Sequence, residues 1–425
     1  MQRILHSLKP LVLLVILNVL GMLLIMNSSI ESTKDMAVLC SIMCIINIVI
    51  YVVITLCKLG DTYLFIIISM LSSVGIIMQA RINPDNGIRQ MILYLIGVGF
   101  FFITVLLYRA FHKKFNRFTL VYYGISILLF VFTWIFGTVK NGSKNWIVLG
   151  GVSIQPSEII RILFVMSLAA IFTNARKAAK SKNNNLSPKE QSRLRHLRLC
   201  IAAVIAFSNA MCLFLQREWG IALLFFAIYL SYLYIYGDSR LFFGANILAV
   251  LGAAFLGIRY MSHIQVRVAT WLDPFADVTG KGYQIAQSLF AIGAGGFSGT
   301  GIGNGSPYLI PVVSSDFIFS AICEEMGVLG GVAVLMLYFL LVYRGFKIAL
   351  SSTNEFNKAV SVGLSVMLGI QTFIIVGGVT KLIPLTGITL PFISYGGSSM
   401  ITTFVALGIL QAISGIEGEV TDEIE

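Results

Sequence analysis

Twelve stretches of about 20 apolar residues recur along the chain, near 10–28, 36–57, 61–80, 90–108, 119–138, 157–174, 198–215, 219–236, 241–258, 317–343, 359–381 and 389–413. A helix of that length crosses the hydrocarbon core of a bilayer, and only helices or closed barrels satisfy their backbone there. The spacing predicts an all-α polytopic membrane protein with about twelve transmembrane helices. Composition excludes the soluble alternative: charged residues make up only 12% of the chain and the mean hydropathy is +0.89.

The loops test that count, because Lys and Arg collect on the cytoplasmic side. With the N-terminus inside, the inside loops include "RAFHKKFNR" (109–117), the stretch 174–198 and "RGFKIALSSTNEFNK" (344–358). The stretch 174–198 alone holds Arg176, Lys177, Lys180, Lys182, Lys189, Arg193, Arg195 and Arg198. The net charge of +11 is thus largely a topology signal, and both termini are expected in the cytoplasm, including the acidic tail 414–425. Positives scattered between spans make no folded basic face for nucleic acid. The first apolar stretch lacks a clear small-residue cleavage site, so it is expected to stay as a helix rather than leave as a signal peptide. All six cysteines fall in or beside apolar spans without a CxxC pair, which reads as buried thiols rather than disulfides or metal ligands.

Function must then come from loops and from polar groups inside the bundle. The segment 259–316, expected outside the cell, mixes Trp271, Phe275 and Tyr283 with Arg267, Lys281, Asp273, Asp277 and Asp316. Within it "YQIAQSLFAIGAGGF" suits a short interfacial helix, too short to span. The glycines from 293 to 305 invite a phosphate-loop reading, but no strand precedes them, and tight turns beside a helix are the stronger expectation. "QPSE" (155–158) is a helix start, with Pro156 and Glu158 in its first turn, and Trp146 suits a membrane interface. "GGVTKLIPLTGITLPFISYGGSS" (377–399) breaks the last two spans, which a bilayer tolerates only where the freed backbone meets protein or water. These segments predict an outward, water-accessible cavity lined by Asp316, Arg267, Lys381 and Glu158 with several Ser and Tyr groups. A transporter with a mid-bundle site and an enzyme acting on a lipid-borne substrate both fit such a cavity.

Four ordered motifs carry a resemblance: "NWIVLGGVSIQPSEIIR", "WLDPFADVTGKGYQIAQSLFAIGAGGFSGTGIGNG", "SSDFIFSAICEEMGVLGG" and "LPFISYGGSS". Together they resemble the RodA/FtsW/SpoVE (SEDS) family of cell-wall polymerases over roughly residues 61–413. The resemblance implies a SEDS-like core of ten helices over 61–413, preceded by two additional N-terminal helices within 1–60, with the large extracytoplasmic loop (259–316) before the tenth span of the whole chain. It implies a peptidoglycan glycosyltransferase that polymerises lipid II at the outer face of the cytoplasmic membrane, in elongation, division or sporulation. The family's essential aspartate maps to Asp316 and its loop tryptophan to Trp146. The sequence departs from the family in reading "PVVSSDF", where an acidic residue and a histidine commonly precede the aspartate, and "QREWG" for "QPDLG". Arg161 and Ile375 also replace a common lysine and a frequent asparagine.

The chemistry assigns roles on that footing. Inversion at an α-linked sugar diphosphate needs one base for the attacking hydroxyl, and diphosphate leaves without a strong acid. Asp316 is the expected base. Arg267 and Lys381 would take up charge on the leaving diphosphate, with a divalent cation (Mg or Mn) as the one cofactor considered. Trp146, Glu158, Gln287, Ser394 and Ser398 would bind substrate or shape its cavity. Each has a plainer reading. Asp316 with Ser314 and Ser315 suits a helix N-cap, Arg267 could pair with Asp273 or Asp277, and Lys381 could snorkel from a helix end. The implied partner is a class B penicillin-binding protein, a transpeptidase. The rival functions are a lipid II flippase, against which stands the lack of an internal repeat, and a non-catalytic scaffold of the wall-synthesis machinery.

Overall fold

The computed structural model describes residues 2–26, 33–140, 142–149, 152–181 and 188–422. Lys182 of the basic stretch and the last tail residues, 423–425, lie outside them. The chain forms two compact units: one from residues 1–105, 265–344 and 371–425, the other from 106–264 and 345–370.

Fourteen α-helices follow in order. They are α1 (Gln2–Met26), α2 (Thr33–Leu56), α3 (Thr62–Ile82), α4 (Pro84–Phe115), α5 (Thr119–Phe136), α6 (Pro156–Ser181) and α7 (Pro188–Leu215). Then come α8 (Trp219–Tyr236), α9 (Arg240–Tyr260), α10 (Ser262–Leu272), α11 (Tyr283–Gly295), α12 (Ile318–Ser351), α13 (Glu355–Val379) and α14 (Gly397–Asp422). Ten of them, α3 to α9 and α12 to α14, are long and apolar enough to cross a membrane among the described residues. They make the expected ten-helix core, and α1 and α2 precede it as apolar helices. The short α11 is also as expected.

In the first unit α3 is the central column, with buried side chains at 16 of its positions from Leu64 to Ala80. Asp61 caps it, accepting from Tyr63 N at 2.9 Å, and also pairs with Arg344 near the end of α12. The added helices pack here too. Gly21 of α1 lies so close to α3 that a Cβ would stand 2.4 Å from Ile77 Cδ1, and Asn47 of α2 accepts from the Tyr94 hydroxyl of α4.

The second unit holds α5 to α9. Tyr232 of α8 is buried and donates to Ala359 O at 2.7 Å, and Phe164 of α6 stacks on Phe225 of α8 at 4.5 Å. Helix α9 leaves nearly all of its apolar surface uncovered, the face a span offers to lipid. A small antiparallel sheet joins α5 to α6, made of β1 (Thr138–Lys140), β2 (Ser143–Leu149) and β3 (Val152–Ile154) in the order β1-β2-β3. No strand was expected from the sequence. The signals are an Asn-Gly pair at 141–142 and the run "NWIVL", whose register sets Thr138 opposite Trp146.

Two span boundaries also differ from the expected ones. Helix α4 runs from Pro84 to Phe115 rather than 90–108, because Asp85 at its start and Lys113 and Lys114 at its end suit the helix dipole. The last span begins at Gly397 rather than 389, because Pro391 and Phe392, with φ 68°, hold the preceding residues out of the helical region. A Cβ at Gly363 of α13 would meet Tyr232 Oη at 2.3 Å. Gly363→Ala is therefore expected to destabilise the fold by about 1–3 kcal/mol, read as a lower thermal unfolding midpoint in detergent.

Candidate active site

Asp316 lies in a tight turn, 311–317, that leads into α12. Its backbone N–H and that of Ser315 both donate to Val312 O at 3.2 Å, which curls the chain around the carboxylate. Oδ1 accepts the Ser315 hydroxyl at 2.9 Å. Oδ2 accepts no hydrogen bond among the described residues and faces Gly387, where a Cβ would stand only 3.4 Å away. Gly387, at φ 73°, thus keeps space open beside the free oxygen. The N-cap reading is not what the turn does: the side-chain bond of Asp316 comes from Ser315, and the first turn of α12 closes on Phe317 O.

The turn is held by segments far away in sequence. Tyr395 N donates to Ser314 O at 2.8 Å and Ser394 Oγ to Ser315 O at 2.6 Å, while Ser394 Oγ also accepts from Leu390 N. Gln79 Nε2 of α3 donates to Ser314 O and Ile393 O, and Gln90 Nε2 of α4 to Ser394 O at 3.2 Å. Gly75 lets α3 come this close, since a Cβ there would lie 2.5 Å from Phe392 O. Gln79 and Gln90 were not expected as site residues. Their signal was a polar amide at the end of an otherwise apolar span and one turn into the next.

Helix α10 supplies the cation. Arg267 Nη1 donates to Leu385 O and Thr386 O at 2.9 and 3.0 Å, and Trp271, four residues on, donates from Nε1 to Lys381 O at 3.1 Å. Residues four apart share a helix face, so α10 grips the segment 381–386 that leads to Gly387. Arg267 pairs with neither Asp273, which caps Phe275 N, nor Asp277, which accepts from Lys281 N. Burial raises the Asp316 pKa above the usual carboxylate range, opposed by the Ser315 hydroxyl and the Arg267 charge. Arg267 is exposed as a residue, yet its guanidinium is desolvated enough to lower its pKa, with Asp316 opposing. Lys381 has left-handed backbone (φ 62°) and makes no ion pair among the described residues. Gln287 of α11 is half-buried, its side chain without a hydrogen bond among the described residues, and Ser398 is buried in the first turn of α14.

The glycine-rich segment has a different task. Helix α12 breaks at Gly327 (φ 69°, ψ −176°), freeing backbone groups on both sides. Thr300 N and Gly301 N donate to Glu324 O and Glu325 O, both at 3.0 Å, and Val328 N and Leu329 N donate to Gly296 O and Phe297 O. Gly303 N reaches Glu325 Oε2 and Ser306 N reaches Glu324 Oε1, while Arg81 of α3 bonds Gly303 O and pairs with Glu325 at 3.0 Å. The N–H groups of Gly301 and Gly303 are thus spent on α12, and those of Gly296 and Gly299 close turns on Gly293 O and Gly295 O, so the tight-turn reading holds. Arg81 is a further residue the sequence reading passed over, since an arginine at a span end ordinarily snorkels.

Trp146 and Glu158 lie in the second unit. Trp146 is half-buried on β2, and its carbonyl accepts from Thr138 Oγ1 at 3.1 Å. Glu158 is buried and pairs with Arg161 at 2.6 Å, so its charge is balanced locally. Nearby, the Glu218 carboxylate at the start of α8 accepts from Gln155 Nε2 at 2.8 Å, and burial pushes its pKa up to about 7. Among the described residues no three His, Cys, Asp or Glu side chains cluster as a metal cage.

Ten spans, a broken helix and one open carboxylate in a latched turn define a polytopic membrane protein with a loop-built site. A family model for cell cycle proteins, that of FtsW, RodA and SpoVE, matches residues 51–418, and the chain belongs to this family. It is 37% identical over 373 residues to the peptidoglycan glycosyltransferase RodA of Mycobacterium tuberculosis (strain ATCC 25618 / H37Rv), covering 83% of this chain and 78% of that protein. It is 34% identical over 282 residues to stage V sporulation protein E of Bacillus subtilis (strain 168), covering 65% and 73%. Among solved structures it is similar to a chain from a study of polymerization and crosslinking by a peptidoglycan synthase complex, with a TM-score of 0.69 at 25% identity over 84% of this chain and 98% of that one. The rod shape determining protein RodA of Thermus thermophilus shares the fold, with a TM-score of 0.59 at 23% identity over 84% and 96%.

A group whose folded pKa lies above its unfolded value binds more protons when folded, so it lowers stability as pH rises between the two. For Glu218 that window runs from the ordinary carboxylate value of 4.5 to about 7. Glu218→Gln is expected to flatten the fall in thermal stability across that window and to raise stability above it, measured by thermal unfolding at a series of pH values.

Proposed function

We infer that this chain is a peptidoglycan glycosyltransferase, and we propose that it polymerises lipid II at the outer face of the cytoplasmic membrane. The observation that carries the mechanism is Asp316: one oxygen fixed by Ser315, the other open beside Gly387, with Arg267 within electrostatic range. The arrangement suits a general base. Oδ2 accepts the proton of the acceptor sugar hydroxyl as its oxygen attacks the anomeric carbon of the donor. The bond from that carbon to the diphosphate oxygen breaks, the diphosphate leaves with the electron pair, and the configuration inverts. A second carboxylate is unnecessary, since diphosphate needs no strong acid to depart. Arg267 and Lys381 flank the segment beside the open oxygen and would stabilise the growing negative charge. Gln287, Ser394 and Ser398 belong to the same unit, with Ser394 acting through the backbone of the turn. Trp146 and Glu158 are also proposed as substrate-binding residues.

A divalent cation fits this donor set only with help from the substrate. Asp316 offers one carboxylate, and magnesium commonly takes one or two carboxylates together with phosphate oxygens. When bound it would add positive charge at the diphosphate. Chelation with EDTA, followed by Mg or Mn, tests this: activity lost and restored supports a cation, and unchanged activity removes it. The proposed partner is a class B penicillin-binding protein that crosslinks the new strands. Support comes from the peptidoglycan synthase complex in which a similar chain was solved.

The decisive test is glycan formation from purified lipid II, with and without the partner. Asp316→Ala and Asp316→Asn are expected to lose roughly 100-fold or more of the rate while still folding. Equal activity in the variants would end the assignment of the base, and an inactive wild type even with its partner would favour the flippase or scaffold. Because a base works when ionised, kcat/KM should fall as pH drops through the raised Asp316 pKa. Removing either group that holds that pKa down, by Ser315→Ala or Arg267→Ala, should move this acid limb to higher pH.

A further inference from the structure

Gln79 lies fully buried on α3. Its single Nε2 donates to two carbonyls in different segments, Ser314 O at 2.7 Å and Ile393 O at 3.2 Å. Each segment contains a non-glycine residue with left-handed backbone, Val312 at φ 55° and Phe392 at φ 68°. For a β-branched residue such as Val312 this conformation is a true outlier, and it persists only where the surroundings over-determine it. Packing does not hold it, since the Val312 side chain is 48% exposed. Hydrogen bonds hold it instead: within the turn Val312 O accepts from Ser315 N and Asp316 N, and from outside the carbonyls of Ser314 and Ser315 accept from Gln79, Tyr395 N and Ser394.

We propose that Gln79 is a positioning residue for glycosyl transfer. It keeps the strained 312–316 turn closed and so fixes the direction of the Asp316 carboxylate, without touching substrate. The inference rests on Asp316 as the base. The amide is chemically specific, because two carbonyl acceptors require a donor with two hydrogens. An ionised glutamate accepts only and would repel both carbonyls, whereas a protonated one can donate to one of them.

The test measures lipid II polymerisation by the full-length protein with its transpeptidase partner, using Gln79→Leu, Gln79→Glu, the double variant Gln79→Leu/Val312→Gly, and Asp316→Asn as reference. Gln79→Leu should lower kcat roughly 10- to 100-fold, with KM within about twofold of wild type. Glycine takes left-handed backbone without strain, so Val312→Gly should restore much of that loss. The ratio of Gln79→Glu activity to wild type should fall as pH rises from about 6 to about 8, as the new carboxyl ionises. Wild-type kcat in Gln79→Leu, a change confined to KM, or no rescue in a folded double variant would overturn the proposal. If Gln79→Leu does not fold, the pH ratio of Gln79→Glu decides, and a flat ratio overturns it. An active Asp316→Asn would instead remove the base and this inference with it. An inactive Asp316→Asn beside a flat ratio removes the positioning role alone.

Discussion

Irregular backbone in an apolar bundle must find a partner for each freed N–H and C=O, and that requirement organises the whole first unit. Helix α12 breaks at Gly327, and the glycine-rich segment repairs the break by donating to Glu324 O and Glu325 O and accepting from Val328 and Leu329. The Asp316 turn and the 390–395 segment repair one another through Ser314, Ser315, Ser394 and Tyr395. Both repairs draw on α3. Gln79 and Arg81 are two residues apart on a helix of 3.6 residues per turn and so point in nearly opposite directions. One supports the turn of Asp316 and the other supports the glycine segment.

Several carboxylates are neutralised by arginines, and Asp316 is not among them. Glu325 pairs with Arg81, Glu158 with Arg161, Asp61 with Arg344 and Asp238 with Arg198. Asp316 has only a neutral hydroxyl on one oxygen and a guanidinium acting at longer range. Burial raises the pKa of such a group above the usual carboxylate range, which makes the ionised form a stronger base. A reaction with a good leaving group asks for little more, which is why one base and nearby cations suffice for the inferred transfer.

Much of this was legible in the amino-acid order. Runs of apolar residues fixed the helices, since hydrocarbon thickness sets their length, and Asp316 stood out as an acid at the edge of a span within a recognisable motif. The Gly-rich run and the Pro/Gly breaks at 384–397 announced irregular backbone. The small sheet around Trp146 was missed because its strands are short and follow a span directly, so their alternation was lost beside the stronger helical signal.

Local sequence therefore determined the long apolar spans and the irregular backbone at 384–397, and with the family resemblance it singled out Asp316 as the candidate base. Tertiary structure alone decided which groups hold that carboxylate. Gln79 is 235 residues from Ser314 and Arg81 is 222 from Gly303, separations that no local pattern encodes. It also decided that Gly301 N and Gly303 N serve α12. Hydrogen bonds between distant backbones depend on close approach, and close approach exists only once α3, α12 and the broken segments have packed together.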